Sequence, residues 1–290
     1  DTLFCDVVVV PKHFPLENHF NNTLITHEKV LIDNYGVIYT EDKHVLIRYP
    51  SSLPHKCYSI ASECVKIGDY AFEGDVDPDP EFGVSYIGNS LEELILPNNL
   101  KCIGVGALEG CRNLPTLFLP DSVNELNDFA LNGCHSIRQI CLPSSLLKIG
   151  TKALPSNLTY AKSRSSKFHC CSDCLLSDKN ELLWISPNIK MFDLPHVVLY
   201  KGKKCISYHN CIVSSDGELL LTIPNIDYFD FPIGVKIIAN GAFRHNKVIK
   251  KIIIPNGVVS IESGAFNYNQ ELKDIYLPKT IRHIGSLRTR

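Results

Sequence analysis

The chain has 290 residues, and its 29 Lys and Arg against 31 Asp and Glu leave a formal net charge of −2. With no excess of positive charge to attract a polyanion, we expect no nucleic-acid partner. Apolar residues make up 44% of the chain, which is enough for a folded core. The longest aliphatic run, Val7 to Val10, is far shorter than the roughly 20 residues of a membrane-spanning helix, so we expect no transmembrane segment in this chain.

The first residues share no pattern with the rest of the chain. Residues 1–28 match neither the hairpin unit nor the repeat found further on, and we interpret them as an N-terminal cap, because a repeat array must cover its open end. Residues 29–60 contain the first hairpin unit, GVIYTEDKHVLIRYP from Gly36. Two apolar stretches flank a polar turn and a proline closes the unit, which predicts a β-hairpin.

Residues 61–160 carry a repeat with a period of 23 residues. Three segments align without a gap: LEELILPNNLKCIGVGALEGCRN from Leu91, LPTLFLPDSVNELNDFALNGCHS from Leu114 and IRQICLPSSLLKIGTKALPSNLT from Ile137. A weaker copy, IASECVKIGDYAF, precedes them, and GDVDPDPEFGVSYIGNS reads as an insertion between the two. A fixed period of about 20 to 29 residues headed by L-x-x-L-x-L predicts a leucine-rich repeat solenoid.

Both patterns return later in the chain. Residues 161–231 hold two further hairpin units, CLLSDKNELLWISPN from Cys174 and CIVSSDGELLLTIPN from Cys211. Residues 232–290 hold C-terminal repeats, among them IKKIIIPNGVVSIESGAFNYNQE and LKDIYLPKTIRHIGSLRTR. We therefore expect one continuous solenoid, interrupted by β-hairpin units.

Within one repeat, side chains alternate along the predicted strand, so Leu94 and Leu96 point to the core while Glu93 and Ile95 point outward. The proline that follows ends the strand, because it cannot donate the next ladder hydrogen bond. The later I-x-x-x-A-F-x-x-C part has helical spacing and predicts a short helical turn. The expected fold is thus a right-handed α/β repeat solenoid with a parallel β-sheet on its concave face and short helical turns on its convex face.

The repeat pattern and the hairpin pattern together resemble those of a known family. The pattern L-x-x-I-x-L-P-x-x-(V/L)-x-x-I-x-x-x-A-F-x-x-C, together with hairpins of the form G-V-L-x-S-x-D-G-x-x-L-I-x-Y-P, is similar to the BspA-like leucine-rich repeats over roughly residues 29–290. The resemblance implies a surface-exposed or secreted protein of a host-associated microbe, adhesin-like, that binds host or bacterial proteins. It implies no enzymatic activity and no cofactor.

The repeats and hairpin units place several cysteines at equivalent positions. Cys111 and Cys134 occupy one column, so we expect each to stack on the other as a buried thiol. Cys174 and Cys211 hold equivalent places in two hairpin units, and buried small residues or a disulfide between stacked equivalents both fit. The cluster His169-Cys170-Cys171-Ser172-Asp173-Cys174 also allows a structural zinc site. Its candidate ligands are His169, Cys171, Cys174 and Cys211.

The outward positions of the strands form two columns. The apolar column consists of Ile95, Phe118, Cys141, Ile253 and Tyr276. The polar column consists of Glu93, Thr116, Gln139, Lys251 and Asp274. A merely solvated strand should be polar on its outer face, so an apolar outer column indicates a contact surface, although β-propensity or covering hairpins would produce the same pattern.

Three functions are therefore in competition. The first is a non-enzymatic protein-interaction module that uses the two columns, and we favour it. The second is a structural zinc protein. The third is a glycan-directed enzyme, which would need paired carboxylates in a cleft. The sequence contains no nucleophile elbow, phosphate loop, dinucleotide-binding or zinc-protease motif.

Overall fold

The computed structural model describes residues 3–5, 30–73, 75–79, 83–87, 89–155, 157–171 and 173–287. The chain divides into two compact units, residues 1–167 (unit 1) and 168–290 (unit 2). The described residues of both units contain short β-strands and no helix. Most of the predicted N-terminal cap lies outside the described residues, and the segment boundaries drawn from the sequence stay predictions.

Fourteen short strands are described in unit 1. In chain order they are β1 (Leu3–Cys5), β2 (Val30–Ile32), β3 (Ile38–Thr40), β4 (Val45–Arg48), β5 (Cys57–Ser59), β6 (Lys66–Ile67), β7 (Asp75–Asp79), β8 (Gly83–Ile87), β9 (Glu93–Ile95), β10 (Cys102–Ile103), β11 (Glu125–Leu126), β12 (Gln139–Leu142), β13 (Lys148–Ile149) and β14 (Tyr160–Ser163).

Twelve strands are described in unit 2. In chain order they are β15 (Phe168–Cys171), β16 (Cys174–Ser177), β17 (Leu182–Ile185), β18 (Val197–Tyr200), β19 (Lys203–Ser207), β20 (Cys211–Ser214), β21 (Glu218–Thr222), β22 (Ile237–Ile238), β23 (Lys251–Ile253), β24 (Ser260–Ile261), β25 (Asp274–Tyr276) and β26 (His283–Ile284).

The repeats build two parallel ladders rather than one, although residues 114–120 form no strand of the first. The predicted strand forms the first ladder, in which β5 pairs with β9, β12 with β14, and β23 with β25, all in parallel. The second ladder is built from the later (V/L)-x-x-I segment and runs β6, β10, β11, β13 in unit 1 and β22, β24, β26 in unit 2. Both ladders are parallel because each turn of a solenoid repeats the path of the turn before it.

The predicted helical turns are wrong. In a helix each N–H would bond to a carbonyl four residues earlier in the same turn. Here the N–H of Leu108 donates to the carbonyl of Ala130 in the next repeat (2.9 Å), and that of Leu131 donates to Ala153 (3.0 Å). The intervening N–H of Ala107 bonds within its own turn, to Gly104 (3.3 Å). The segment is therefore a third hydrogen-bonded side of the solenoid, because some of its backbone N–H groups donate to carbonyls of the next repeat.

The core is filled by the columns that the repeat makes aliphatic. Leu94, Leu117 and Ile140 are buried on the first ladder, and Ile103 and Leu126 are buried on the second. The Ala-Phe/Leu pairs of the third side are also buried. The first residue of each pair is small because neighbouring turns approach each other closely there. The pairs are Ala107-Leu108, Ala130-Leu131, Ala242-Phe243 and Ala265-Phe266.

The hairpin units form antiparallel strand pairs, as their sequence pattern predicts: β3 with β4, β16 with β17, and β20 with β21. Two of them join the second ladder, because β4 pairs in parallel with β6 and β21 pairs in parallel with β22. The predicted insertion forms an antiparallel hairpin of its own, β7 with β8. These two hairpin units thus each supply a starting strand on which the second ladder continues. The handedness of the solenoid and the concave placement of its strands stay predictions.

Candidate protein-binding surface

The outer face of the first ladder in unit 1 carries large apolar side chains. Along β9, Leu94 is buried while Glu93 and Ile95 are exposed, so the side chains alternate as a strand requires. Residues 116–119 keep the same alternation, and Phe118 projects with 84% of its surface exposed. Ile95 is 47% exposed. Two consecutive repeats therefore each present a large apolar side chain to solvent at the equivalent position.

Strand register extends the two columns beyond the residues chosen from the sequence. Ser59 pairs with Ile95 at one end, and Lys162 pairs with Cys141 at the other. The apolar column of unit 1 is therefore apolar only in its middle and is bordered by polar residues. A compact apolar patch with a polar rim has the composition of a protein contact surface.

The polar column of unit 1 gains an aromatic residue that the sequence reasoning missed. Tyr160 pairs with Gln139 and is exposed. It lies 21 residues after Gln139, two fewer than the repeat period, so the period alone would have placed Lys162 in this column. At the other end, the Cys57 thiol hydrogen-bonds Glu93, and this bond raises the pKa of Cys57 because the carboxylate disfavours the thiolate. Thr116 is exposed on the rung between them.

Unit 2 carries a smaller patch of the same kind. Lys251 pairs with Asp274, and Ile253 pairs with Tyr276, all with exposed side chains. The Lys251 Nζ lies 4.4 Å from the centre of the Tyr276 ring, within the range of a cation–π interaction. This contact joins the polar and the apolar column and holds the Tyr276 ring against its neighbour.

The fold does not gather the four zinc candidates at one point. Cys171 and Cys174 face each other across the β15–β16 hairpin, while the exposed His169 pairs with Leu176 further along it. Cys174 packs in one hydrophobic cluster and Cys211 in another. Burial alone raises the pKa of Cys211 to about 12, with no neighbouring charge contributing. Within the described ranges, no group of three or more His, Cys, Asp or Glu side chains is arranged to hold a metal ion.

The predicted ladder of buried thiols is confirmed. Cys111 and Cys134 are fully buried and form no disulfide. The Cys134 thiol donates to the carbonyl of Leu108 (3.1 Å), and the Nδ2 of buried Asn89 donates to the Cys111 sulfur (3.3 Å). Cys174 and Cys211 are also buried and unpaired, so their equivalence reflects packing and not a disulfide.

The profile of the BspA type leucine-rich repeat region matches residues 84–211 and 221–287 in six copies. This chain belongs to the BspA-type leucine-rich repeat family. Proteins of this repeat type are generally protein-interaction modules without enzymatic activity. No curated protein matches the BspA-type chain. None of its described segments forms a helix that could span a lipid bilayer.

Several solved structures resemble this BspA-type protein. The pneumococcal vaccine antigen PcpA is 19% identical over 85% of this chain and 70% of its own, with a TM-score of 0.51. A leucine-rich repeat protein from Eubacterium ventriosum is 19% identical over 89% of this chain and 66% of its own, with a TM-score of 0.44. At this identity, the likeness to the pneumococcal protein shows the leucine-rich repeat fold.

Proposed function

We propose that this BspA-type protein is a non-enzymatic protein-interaction module of a host-associated microbe, displayed on the cell surface or secreted. In this proposal it acts as an adhesin and binds a host or bacterial protein through the outer face of the first ladder. The observation that carries the proposal is the 84% exposure of Phe118, with Ile95 exposed at the equivalent position of the preceding repeat. Membership of the family and the fold shared with a vaccine antigen support the location.

The physical reason is the cost of leaving such side chains in water. Burying a Phe or Ile side chain stabilises a complex by about 1.5 to 3 kcal/mol, so an exposed pair is a source of binding energy. Phe118 has few rotatable bonds, and anchors of this kind dominate many interfaces. Around it, Glu93, Thr116 and Gln139 supply hydrogen-bonding groups for the rim of an interface.

Unit 2 offers the second set of contact residues. Ile253 and Tyr276 are exposed, and Lys251 and Asp274 beside them provide one charge of each sign. The cation–π contact of Lys251 with Tyr276 reduces the conformational freedom that both side chains would lose on binding. We propose that this patch also contacts a protein ligand.

The test is the substitution Phe118→Ala. Binding would be measured by surface plasmon resonance against a panel of host extracellular proteins and bacterial surface proteins. For any ligand found, we expect a loss of about 1 to 3 kcal/mol in binding with an unchanged melting temperature, because no core contact is removed.

The matched control is its buried neighbour. Leu117→Ala should cost about 2 to 5 kcal/mol of stability, because it leaves a cavity in the core. Phe118→Ala with full binding and full stability would show that the column reflects only β-propensity, and the proposal would then be wrong.

A further inference from the structure

One position on the third side of the solenoid is filled differently in the two units. Thirteen residues after the repeat proline, the backbone has a left-handed conformation in both units. Unit 1 places glycines there, Gly110 (φ 76°) and Gly133 (φ 74°), and unit 2 places His245 (φ 64°) and Tyr268 (φ 62°). A left-handed backbone strains residues with bulky side chains and does not strain glycine. Two consecutive repeats thus carry rings where folding alone favours glycine.

The two rings form a defined surface structure. The His245 and Tyr268 rings are stacked, with centroids 4.7 Å apart and planes 8° from parallel. Tyr268 is 45% exposed, and His245 is also exposed. Neither ring fills the core, so the strain at these positions is not offset by core packing. Strained residues of this kind often belong to binding sites, where the rest of the fold supplies the stability.

Cations surround the stacked rings. The Arg244 guanidinium carbon lies 5.1 Å from the centre of the Tyr268 ring. The charges acting on His245 are those of Arg244 and Lys247, and burial together with these two cations lowers the pKa of His245. Arg244 and Lys247 are exposed. We call the group of Arg244, His245, Lys247 and Tyr268 the cationic platform.

The backbone beneath the cationic platform is held firmly. The N–H of Asn246 donates to Oδ1 of buried Asn269 (2.8 Å), and Nδ2 of Asn246 donates to the carbonyl of Ile226 (2.9 Å). The N–H of His245 donates to the carbonyl of Asn267 in the next repeat (3.1 Å). A ligand meeting this surface would therefore meet side chains that are already placed, and little conformational entropy would be lost on binding.

We propose that the cationic platform is a binding site for an acidic peptide segment of a partner protein. Arg244 and Lys247 offer only hydrogen-bond donors, which suits the acceptor-only carboxylates of Asp and Glu. The Tyr268 ring provides the apolar surface against which an adjacent side chain of the peptide packs. With two permanent cations in a chain of net charge −2, the platform suits a few carboxylates and not a long polyanion. This site lies on the turn segments and is independent of the strand-face contact proposed above.

The experiment is fluorescence anisotropy of a fluorescein-labelled oligoglutamate peptide with the full chain. We expect saturable binding that weakens as salt is added, and no binding of an oligoglutamine peptide of equal length. Arg244→Gln and Tyr268→Gly should each weaken binding by at least about tenfold. Tyr268→Gly should not lower the melting temperature, because glycine holds this position in unit 1. This variant therefore separates loss of the site from loss of the fold.

The matched control is Lys101→Gln, which removes one exposed positive charge from unit 1 and should leave affinity unchanged within about twofold. Three results would overturn the proposal. One is the absence of saturable binding to the unaltered chain, and another is unchanged affinity in both platform variants. The third is saturable binding of a heparin oligosaccharide without binding of oligoglutamate, which would assign the surface to an acidic glycan.

Discussion

One repeat column holds two thiols in unit 1 beside the amide of Asn157, and only amides, Asn246 and Asn269, in unit 2, and thiol and amide use different chemistry. In unit 1, Cys111 and Cys134 are small apolar side chains, and the Cys134 thiol makes weak hydrogen bonds to the carbonyl of Leu108 and to the Cys111 thiol. In unit 2, Oδ1 of Asn246 accepts from the N–H groups of Val248 (2.9 Å) and Ile249 (3.0 Å).

The difference between Cys134 and Asn246 follows from which group accepts a hydrogen bond from the N–H three residues later. Ile137 and Ile249 are equivalent, each three residues after the column residue. The N–H of Ile137 bonds to the carbonyl of Cys134 (3.2 Å), whereas the N–H of Ile249 bonds to the side chain of Asn246. A thiol is tolerated only where the backbone closes the turn by itself, since buried N–H groups must be paired. At this column Cys134 thus depends on packing, and Asn246 depends on hydrogen bonds.

The largest expected effect tests the amide in unit 2. Asn246→Ala should reduce the free energy of unfolding by about 3 kcal/mol, because it leaves two buried N–H groups and the carbonyl of Ile226 without their partner. Urea unfolding followed by circular dichroism would measure it. Asn157→Ala is the control in the same column, since Asn157 is only partly buried and makes one long bond, to His135 (3.5 Å). A cost there equal to that at Asn246 would contradict the comparison.

An intermediate effect is expected in the pH dependence of the free energy of unfolding, and it tests the Cys134 thiol of unit 1. The hydrogen bond of Cys134 with the Cys111 thiol, followed by burial, raises the pKa of Cys134 well above its usual value. The protonated Cys134 thiol therefore contributes its full share of the free energy of unfolding below the pKa of the unfolded chain, near 8.5. That contribution is lost as the pH rises towards the higher pKa of the folded chain. The slope for one thiol is about 1.4 kcal/mol per pH unit.

Unfolding curves between neutral pH and pH ~10 would show this slope. Cys134→Ala should make the decline shallower by the contribution of one thiol. Asn246→Ala should lower the whole curve without changing its slope, because an amide does not titrate. Equal slopes for the unaltered chain and Cys134→Ala would mean that the thiol is not protected.

The smallest effect concerns reactivity and leaves stability unchanged. Cys141 lies on the exposed apolar column, whereas Cys111 and Cys134 are fully buried. Under native conditions, maleimide should modify Cys141 rapidly, and should modify the two ladder thiols only as fast as the unit opens. Peptide mass spectrometry after timed labelling would measure the three rates. Rapid labelling of Cys134 in the native chain would disagree with the buried ladder.

The period made much of the fold predictable. Because every turn repeats the last, the proline after the first strand and the aliphatic columns around Leu94, Leu117 and Ile140 fix the register of the first ladder and its outer face. The helical reading of the Ala-Phe/Leu segment failed for a physical reason. Spacings of one and four residues fit a helix, but they fit equally a turn whose N–H groups bond to the next repeat, as that of Leu108 does to Ala130. Sequence spacing alone does not determine which carbonyl accepts the hydrogen bond of a given N–H group.

The candidate site was predictable only in part. The outward position of Phe118 follows from alternation. The pairing of Tyr160 with Gln139 does not follow from the period, because the two residues lie 21 positions apart and not 23. The cationic platform does not follow from it either, because the contact of Arg244 with Tyr268 joins residues 24 positions apart through a left-handed backbone that no residue pattern announces.

The sequence by itself determined the repeat, the family, the hairpin units and the residues of the buried thiol ladder, since each depends on residue type at a fixed spacing. The tertiary structure alone decided the second parallel ladder, the absence of helix in the described turns, the separation of Cys174 from Cys211, and the stacking of His245 on Tyr268. The reason is common to all four. Each is settled by which groups meet when one turn lies on the next, and such contacts between turns depend on backbone path and burial rather than on the residues of a single repeat.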